Sequence, residues 1–136
     1  MVGVDRDEAV LKAFEGAEGV EIHVADIEAG PWPFASGSFD AVVVVNYLHR
    51  LLFPTLIDAL RPGGVLIYET FALGNERYGR PSNRNFLLQP NELLERAKPL
   101  IVLAFEQGFV AVPKPAVIQR ICAVRDGKSP LLLEAA

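Results

Sequence analysis

The sequence contains a single cysteine, Cys122, in 136 residues. It therefore forms no internal disulfide and suits a reducing compartment, which we read as the cytoplasm. Paired cysteines at metal-ligand spacing, an HExxH helix, a complete GxxxxGK(S/T) phosphate loop and a GxSxG elbow are all missing. Zinc-site, metalloprotease, nucleoside-triphosphatase and hydrolase chemistry thus have no support, and no metal is expected. No GxGxG or GxGxxG pattern occurs either, which disfavours a nicotinamide-dependent dehydrogenase. The longest uninterrupted apolar stretch runs only from Leu100 to Phe105, far short of the ~20 residues that span a membrane. Met1 leads at once into Val-Gly-Val-Asp, so no signal peptide is expected. Thirteen basic against seventeen acidic side chains give a net charge of −4, which argues against nucleic acid or an anionic membrane as partner.

What is present is apolar: 51% of residues are hydrophobic and the mean hydropathy is +0.26, enough for a packed core in one domain over residues 1–136. Val2 to Asp5 reads as a short strand. Asp7 can cap a helix with Val10, Ala13 and Phe14 on its apolar side, stopped by Gly16. Val20, Ile22 and Val24 alternate with Glu21 and His23 as a second strand. Gly30 to Ser38 is loop. Ala41 to Val45 is uniformly apolar, which predicts a strand buried on both faces of a parallel sheet. A helix with Pro54 in its first turn and Leu52, Leu56, Ile57 and Leu60 on one side follows, ended by Arg61-Pro62-Gly63-Gly64. Val65 to Phe71 resumes a strand, and residues 72–89 read as a long surface loop. A helix from Pro90 to about Lys98 precedes strands at Ile101 to Phe105 and Val117 to Val124. Gly108, Pro113 and Pro115 turn the chain between these last two, which form an antiparallel hairpin. The order predicts an α/β doubly wound, Rossmann-like sheet with an antiparallel end.

In open parallel sheets ligands bind beyond the carboxyl ends of the strands. Asp5, Asp26 with Ile27, and Asn46 with Tyr47 stand there. A carboxylate at a strand end can accept hydrogen bonds from both hydroxyls of a ribose. On pattern alone Asp5 is equally a polar residue at the start of a helix. Asp26 beside Ile27 pairs an acceptor with an apolar side chain, which suits an adenine; a polar residue leaving a strand is the simpler account of it.

Five segments together resemble the class I S-adenosylmethionine-dependent methyltransferases, among them the small bacterial ones related to tellurite-resistance methyltransferases. They are Val-Gly-Val-Asp-Arg-Asp (Val2 to Asp7), Val-Ala-Asp-Ile-Glu (Val24 to Glu28), Phe-Asp-Ala-Val-Val-Val-Val-Asn-Tyr-Leu (Phe39 to Leu48), Arg-Pro-Gly-Gly-Val-Leu-Ile-Tyr-Glu-Thr-Phe (Arg61 to Phe71) and Gln-Arg-Ile-Cys-Ala-Val-Arg (Gln119 to Arg125). The resemblance implies S-adenosylmethionine as cofactor, with Asp5 on its ribose, Asp26 and Ile27 on its adenine, and Asn46 and Tyr47 near its methionine end. It implies a small-molecule acceptor. It also implies that the family's first strand, glycine-rich turn and first helix would stand upstream of Val2, so the fold is expected to be N-terminally truncated. That strand belongs between the strands ending at Asp5 and Asn46. Without it two apolar edges remain or the sheet re-pairs, and a homo-oligomer is expected.

Weaker candidates complete the reading. His49, just past Asn46, could take a proton from a nucleophile near the transferred methyl or simply pack at the next helix. His23 lies on the polar phase of its strand. Glu69 could line an acceptor pocket or pair with an arginine. Arg77, Arg80 and Arg84 around Tyr78 make a locally basic loop that could close over an anionic acceptor. Cys122 is expected buried and inert. Two functions therefore stand: a methyltransferase, or a degenerate relative without cofactor that serves as an oligomeric interaction module.

Overall fold

The computed structural model describes residues 1–127, which fall into two compact units, Met1–Pro33 and Phe34 onward.

The first unit is a strand-helix-strand crossover. β1 (Val2–Asp5) and β2 (Glu21–Val24) pair in parallel, with Val2 opposite Glu21 and Asp5 opposite Val24. α1 (Glu8–Lys12) lies between them in sequence, capped by Asp7, whose carboxylate accepts the Ala9 N–H at 2.9 Å. Replacing Asp7 with alanine leaves that donor unsatisfied and is expected to cost about 1 kcal/mol in chemical denaturation. The apolar side of α1 differs from expectation. Leu11 is its buried residue, whereas Val10 and Phe14 are half exposed. The helix ends at Lys12, so Ala13 and Phe14 lie past it and cannot continue a helical stripe.

The second unit is a four-stranded sheet in the order β3-β4-β6-β5, formed by β3 (Phe39–Val45), β4 (Leu60–Phe71), β5 (Ile101–Val110) and β6 (Ala116–Val124). β3 and β4 are parallel, and the other two pairings are antiparallel, so the expected terminal hairpin is present. α2 (Phe53–Ala59) and α3 (Glu92–Arg96) contribute Phe53, Leu56, Ala59 and Leu93 to a core that also holds Leu66, Tyr68, Ile121 and Ala123 from the sheet. Phe53 stacks on Tyr68 with ring centroids 4.8 Å apart.

Four local expectations are corrected. Arg61-Pro62-Gly63-Gly64 does not precede β4 but sits inside it, as an excursion between the pairs Phe39↔Leu60 and Ala41↔Val65. Gly64 is required there, because a Cβ would meet the Arg61 carbonyl oxygen at 2.8 Å. Gly108 does not turn the chain; it lies within β5, and the turn falls at residues 111–115. The segment after β4 is less of a surface loop than its composition implies. Ala72, Asn75, Leu87 and Leu88 are buried, and Asn75 ties the segment to itself and to β6 by donating to the Pro81 carbonyl and accepting the Val117 N–H. Cys122 is only half-buried.

The largest correction concerns β3. It was expected to be covered on both faces, yet Val43 and Val45 are 61% and 58% exposed. Their cross-strand neighbours explain this: Val43 lies opposite Ile67, which lies opposite Cys122, in a row across one face of the sheet. Both α2 and α3 supply their buried residues to the other face, where Leu66 and Tyr68 point. Among the described residues, neither β1 nor β3 carries a strand on its second edge.

Candidate functional site

In the first unit, Asp5, Asp26 and Ile27 all stand at the carboxyl end of the β1-β2 pair, as the strand reading requires. The Ala25 N–H donates to the Asp5 carbonyl, so the ladder persists to the last pair before Asp26. The half-buried Asp5 carboxylate accepts the Asp7 N–H through Oδ1 at 2.9 Å. A carboxylate has about four acceptor sites, so this bond fixes the rotamer while leaving capacity for two further donors. Asp26 accepts the Glu28 and Ala29 N–H groups through Oδ1, at 3.0 and 3.1 Å, and shapes the turn that presents half-buried Ile27. This end of the strand pair thus presents two carboxylate acceptors beside an apolar side chain. His23, on β2, lies 2.6 Å from Glu21 Oε1.

In the second unit, β3 runs into Asn46, Tyr47 and His49. Asn46 adopts φ 54°, the left-handed region, which ends the strand and lifts its exposed side chain at the sheet's carboxyl end. Its N–H still donates to the Glu69 carbonyl at 2.9 Å. Tyr68 Oη donates to the Tyr47 carbonyl at 2.6 Å, pinning the main chain of this connection. Burial, with the neighbouring Tyr47, pushes the Tyr68 phenol well above its ordinary range, so it stays a donor at any working pH. His49 is half-buried at the cap of the short helical turn Arg50–Leu52.

The next residue anchors the region. Arg50 donates from Nε and Nη2 to both oxygens of Glu92, at 2.7 and 3.0 Å, and to the carbonyls of Asn85 and Leu87. Glu92 is 9% exposed and also accepts from the Gln89 N–H and Arg96 Nε. Burial would raise its carboxyl, but the hydrogen bonds from Arg50, the Gln89 N–H and Arg96 outweigh that and hold it at about 2. Fully buried Gln119 completes the clamp, donating to the Gln89 carbonyl and accepting the Leu93 N–H. Arg50, Glu92 and Gln119 were not singled out as site residues in the sequence. Their only signal there is charge and amide placed among leucines. Glu69 does meet an arginine, with Arg120 Nη1 4.0 Å away, and Arg120 also pairs with Glu106 at 3.0 Å. Tyr78 packs on Phe109 with centroids 5.2 Å apart, while Arg77, Arg80 and Arg84 are exposed.

Residues 1–68 match the family described as a methyltransferase domain. The chain belongs to that family. Its fold is that of class I methyltransferases. An S-adenosylmethionine-dependent methyltransferase from Mesorhizobium loti is 19% identical, with a TM-score of 0.68 over 91% of this chain and 80% of its own. A SAM-dependent methyltransferase from Methanosarcina mazei is 15% identical, with a TM-score of 0.68 over 92% of this chain and 81% of its own. TehB from Haemophilus influenzae is 14% identical, with a TM-score of 0.71 over 92% of this chain but 49% of its own. No curated relative matches the chain at a significant level. No helix among the described residues is long and apolar enough to cross a membrane.

Proposed function

We propose that this methyltransferase domain, spanning residues 1–136, binds S-adenosylmethionine and passes its methyl group to a small-molecule acceptor in the cytoplasm. The observation that carries this is the half-buried Asp5 carboxylate, held by the Asp7 N–H at the carboxyl end of a parallel strand in a chain of this family. The cofactor supplies a methyl group already activated on a sulfonium. The chain's task is accordingly to hold and orient, since an in-line displacement gains most from position. Asp5 accepts the two ribose hydroxyls; Asp26 and Ile27 receive the adenine edge and face. Asn46 and Tyr47 serve the methionine end, where the tyrosine ring offers a negative face to a cation. His49 accepts the proton released by an acceptor nucleophile. Neither nucleic acid nor membrane is among the partners, and the chain acts as a homo-oligomer.

Replacing Asp5 with alanine should weaken S-adenosylhomocysteine binding about ten- to a hundredfold, the loss of hydrogen bonds to a charged acceptor. Asp5→Asn, which keeps an acceptor for the Asp7 N–H, should fall between the two in equilibrium dialysis. Equal affinity for all three proteins would remove Asp5 from the site.

A second reading is a relative that binds no cofactor and works as an oligomeric interaction module. That β1-β2 and the four-stranded sheet share no ladder among the described residues favours it. Failure of the wild-type chain to retain the ligand is the result it requires.

A further inference from the structure

Residues 74–86 carry three arginines, Arg77, Arg80 and Arg84, against one acid, Glu76, a net charge of +2 in a chain whose total is −4. All three arginines are exposed. Arg50, Arg61, Arg96 and Arg120 each pair with a carboxylate, whereas among the described residues Arg77, Arg80 and Arg84 do not. The Glu76 carboxylate accepts the Gly74 N–H at 2.8 Å. Hydrogen bonds from its own N–H and that of Gly74 hold its carboxyl below the ordinary range, and Arg77 and Arg84 lie near enough to add to the effect. Those two cations therefore flank one point. The backbone beneath them is tied down. Buried Asn75 closes residues 75–81 into a ring, donating to the Pro81 carbonyl and accepting through its own main-chain carbonyl the N–H groups of Tyr78 and Gly79. Its side chain also accepts the Val117 N–H, and Gly74 packs so near Val117 that a Cβ would lie 3.3 Å from that side chain. Tyr78 tilts against Phe109, the strand partner of Val117, and the two aromatic residues stay 49% and 56% exposed.

The ring stands at the end of the sheet where ligands of such folds bind. β3, β4 and β5 run the same way, since β3 is parallel to β4 and β6 is antiparallel to both β4 and β5. Asn46, the start of residues 72–89 and Phe109 thus share the carboxyl end. Arg50 joins the two regions directly: its Nη1 donates to the carbonyl of Asn85, the neighbour of Arg84, at 2.9 Å. We propose that the basic ring and the Tyr78–Phe109 pair receive the methyl acceptor, and that this acceptor is a small anion with a flat apolar body, of the aromatic carboxylate class. Guanidinium forks match the two oxygens of a carboxylate, and the aromatic faces take a further ring in an offset stack. A cationic acceptor is repelled by the same charges. The inference rests on the methyl-transfer reading for its purpose, but capture of the anion needs no cofactor, so the two are tested apart.

Titration of benzoate into the full chain, followed by the ring-proton resonances of Tyr78 and Phe109, tests it. Those resonances should move saturably. Benzamide, which keeps the ring and loses the charge, and acetate, which keeps the charge and loses the ring, should each bind about tenfold more weakly. Arg77→Gln, Arg80→Gln and Arg84→Gln should each weaken benzoate about two- to fivefold, and the triple variant about thirtyfold. The thermal midpoint should stay at the wild-type value, because the arginines are exposed. Raising the salt should weaken benzoate and leave benzamide unchanged. Equal affinity for benzoate and benzamide, or a triple variant that binds benzoate as the wild type does, overturns the inference. Binding of S-adenosylhomocysteine without binding of benzoate overturns it alone. Benzoate binding in a chain that takes no S-adenosylhomocysteine supports the anion site and overturns the methyl-transfer reading.

Discussion

Replacing Glu92 with alanine is expected to destabilise the protein by about 3–5 kcal/mol, the range for breaking a buried ion pair by removing one partner. The loss is large because Glu92 satisfies Arg50, Arg96 and the Gln89 N–H at once. Without it the Arg50 guanidinium stays largely enclosed, holding only the Asn85 and Leu87 carbonyls. Urea denaturation would measure the effect, and Arg50→Ala should couple strongly to it in a double-mutant cycle. The same group sets an acid limit. Its folded carboxyl titrates at about 2, below the ordinary 4.5. Its contribution is therefore complete above about pH 5 and disappears as the pH falls toward 2. Glu92→Gln should flatten the stability profile across that window while leaving the alkaline side unchanged. A wild-type profile that is level from pH 5 to 3 would contradict this.

Phe53→Ala is expected to cost a comparable 3–5 kcal/mol, the range for truncating a fully buried aromatic. Phe53 is 2% exposed and stacks on Tyr68, so its removal opens a cavity between α2 and β4 and frees the ring that holds the Tyr47 carbonyl. Phe53→Leu, which keeps most of the volume, should recover more than half of the loss. A thermal midpoint that does not move in Phe53→Ala would mean the contact is replaced by repacking.

The elements legible in the sequence were those with local causes. Asp7 caps α1 because a carboxylate satisfies free N–H groups, and Pro54 sits in the first turn of α2 where no N–H is needed. The strand ends at Asp5, Asp26 and Asn46 followed from alternation and apolar runs, and the structure puts each of these residues just at or past a strand end. What escaped depended on partners distant in sequence. The apolarity of Val42 to Val45 predicts burial only if something covers both faces, and helix packing covers one. Asn75, Glu92 and Gln119 look like ordinary polar residues of a loop, a helix and a strand until residues some 26 to 42 positions away are brought against them. Arg-Pro-Gly-Gly reads as a turn, yet pairing at Leu60 draws it into β4 as an excursion that only Gly64 accommodates.

The central claim, that this chain holds the cofactor of its family through the carboxyl end of β1 and β2, meets its most direct test in calorimetric titration of S-adenosylhomocysteine into the purified wild-type protein. The account predicts saturable binding with one site per chain, accompanied by a rise in the thermal midpoint. Absence of heat and of any thermal shift would contradict it and leave the interaction module as the function.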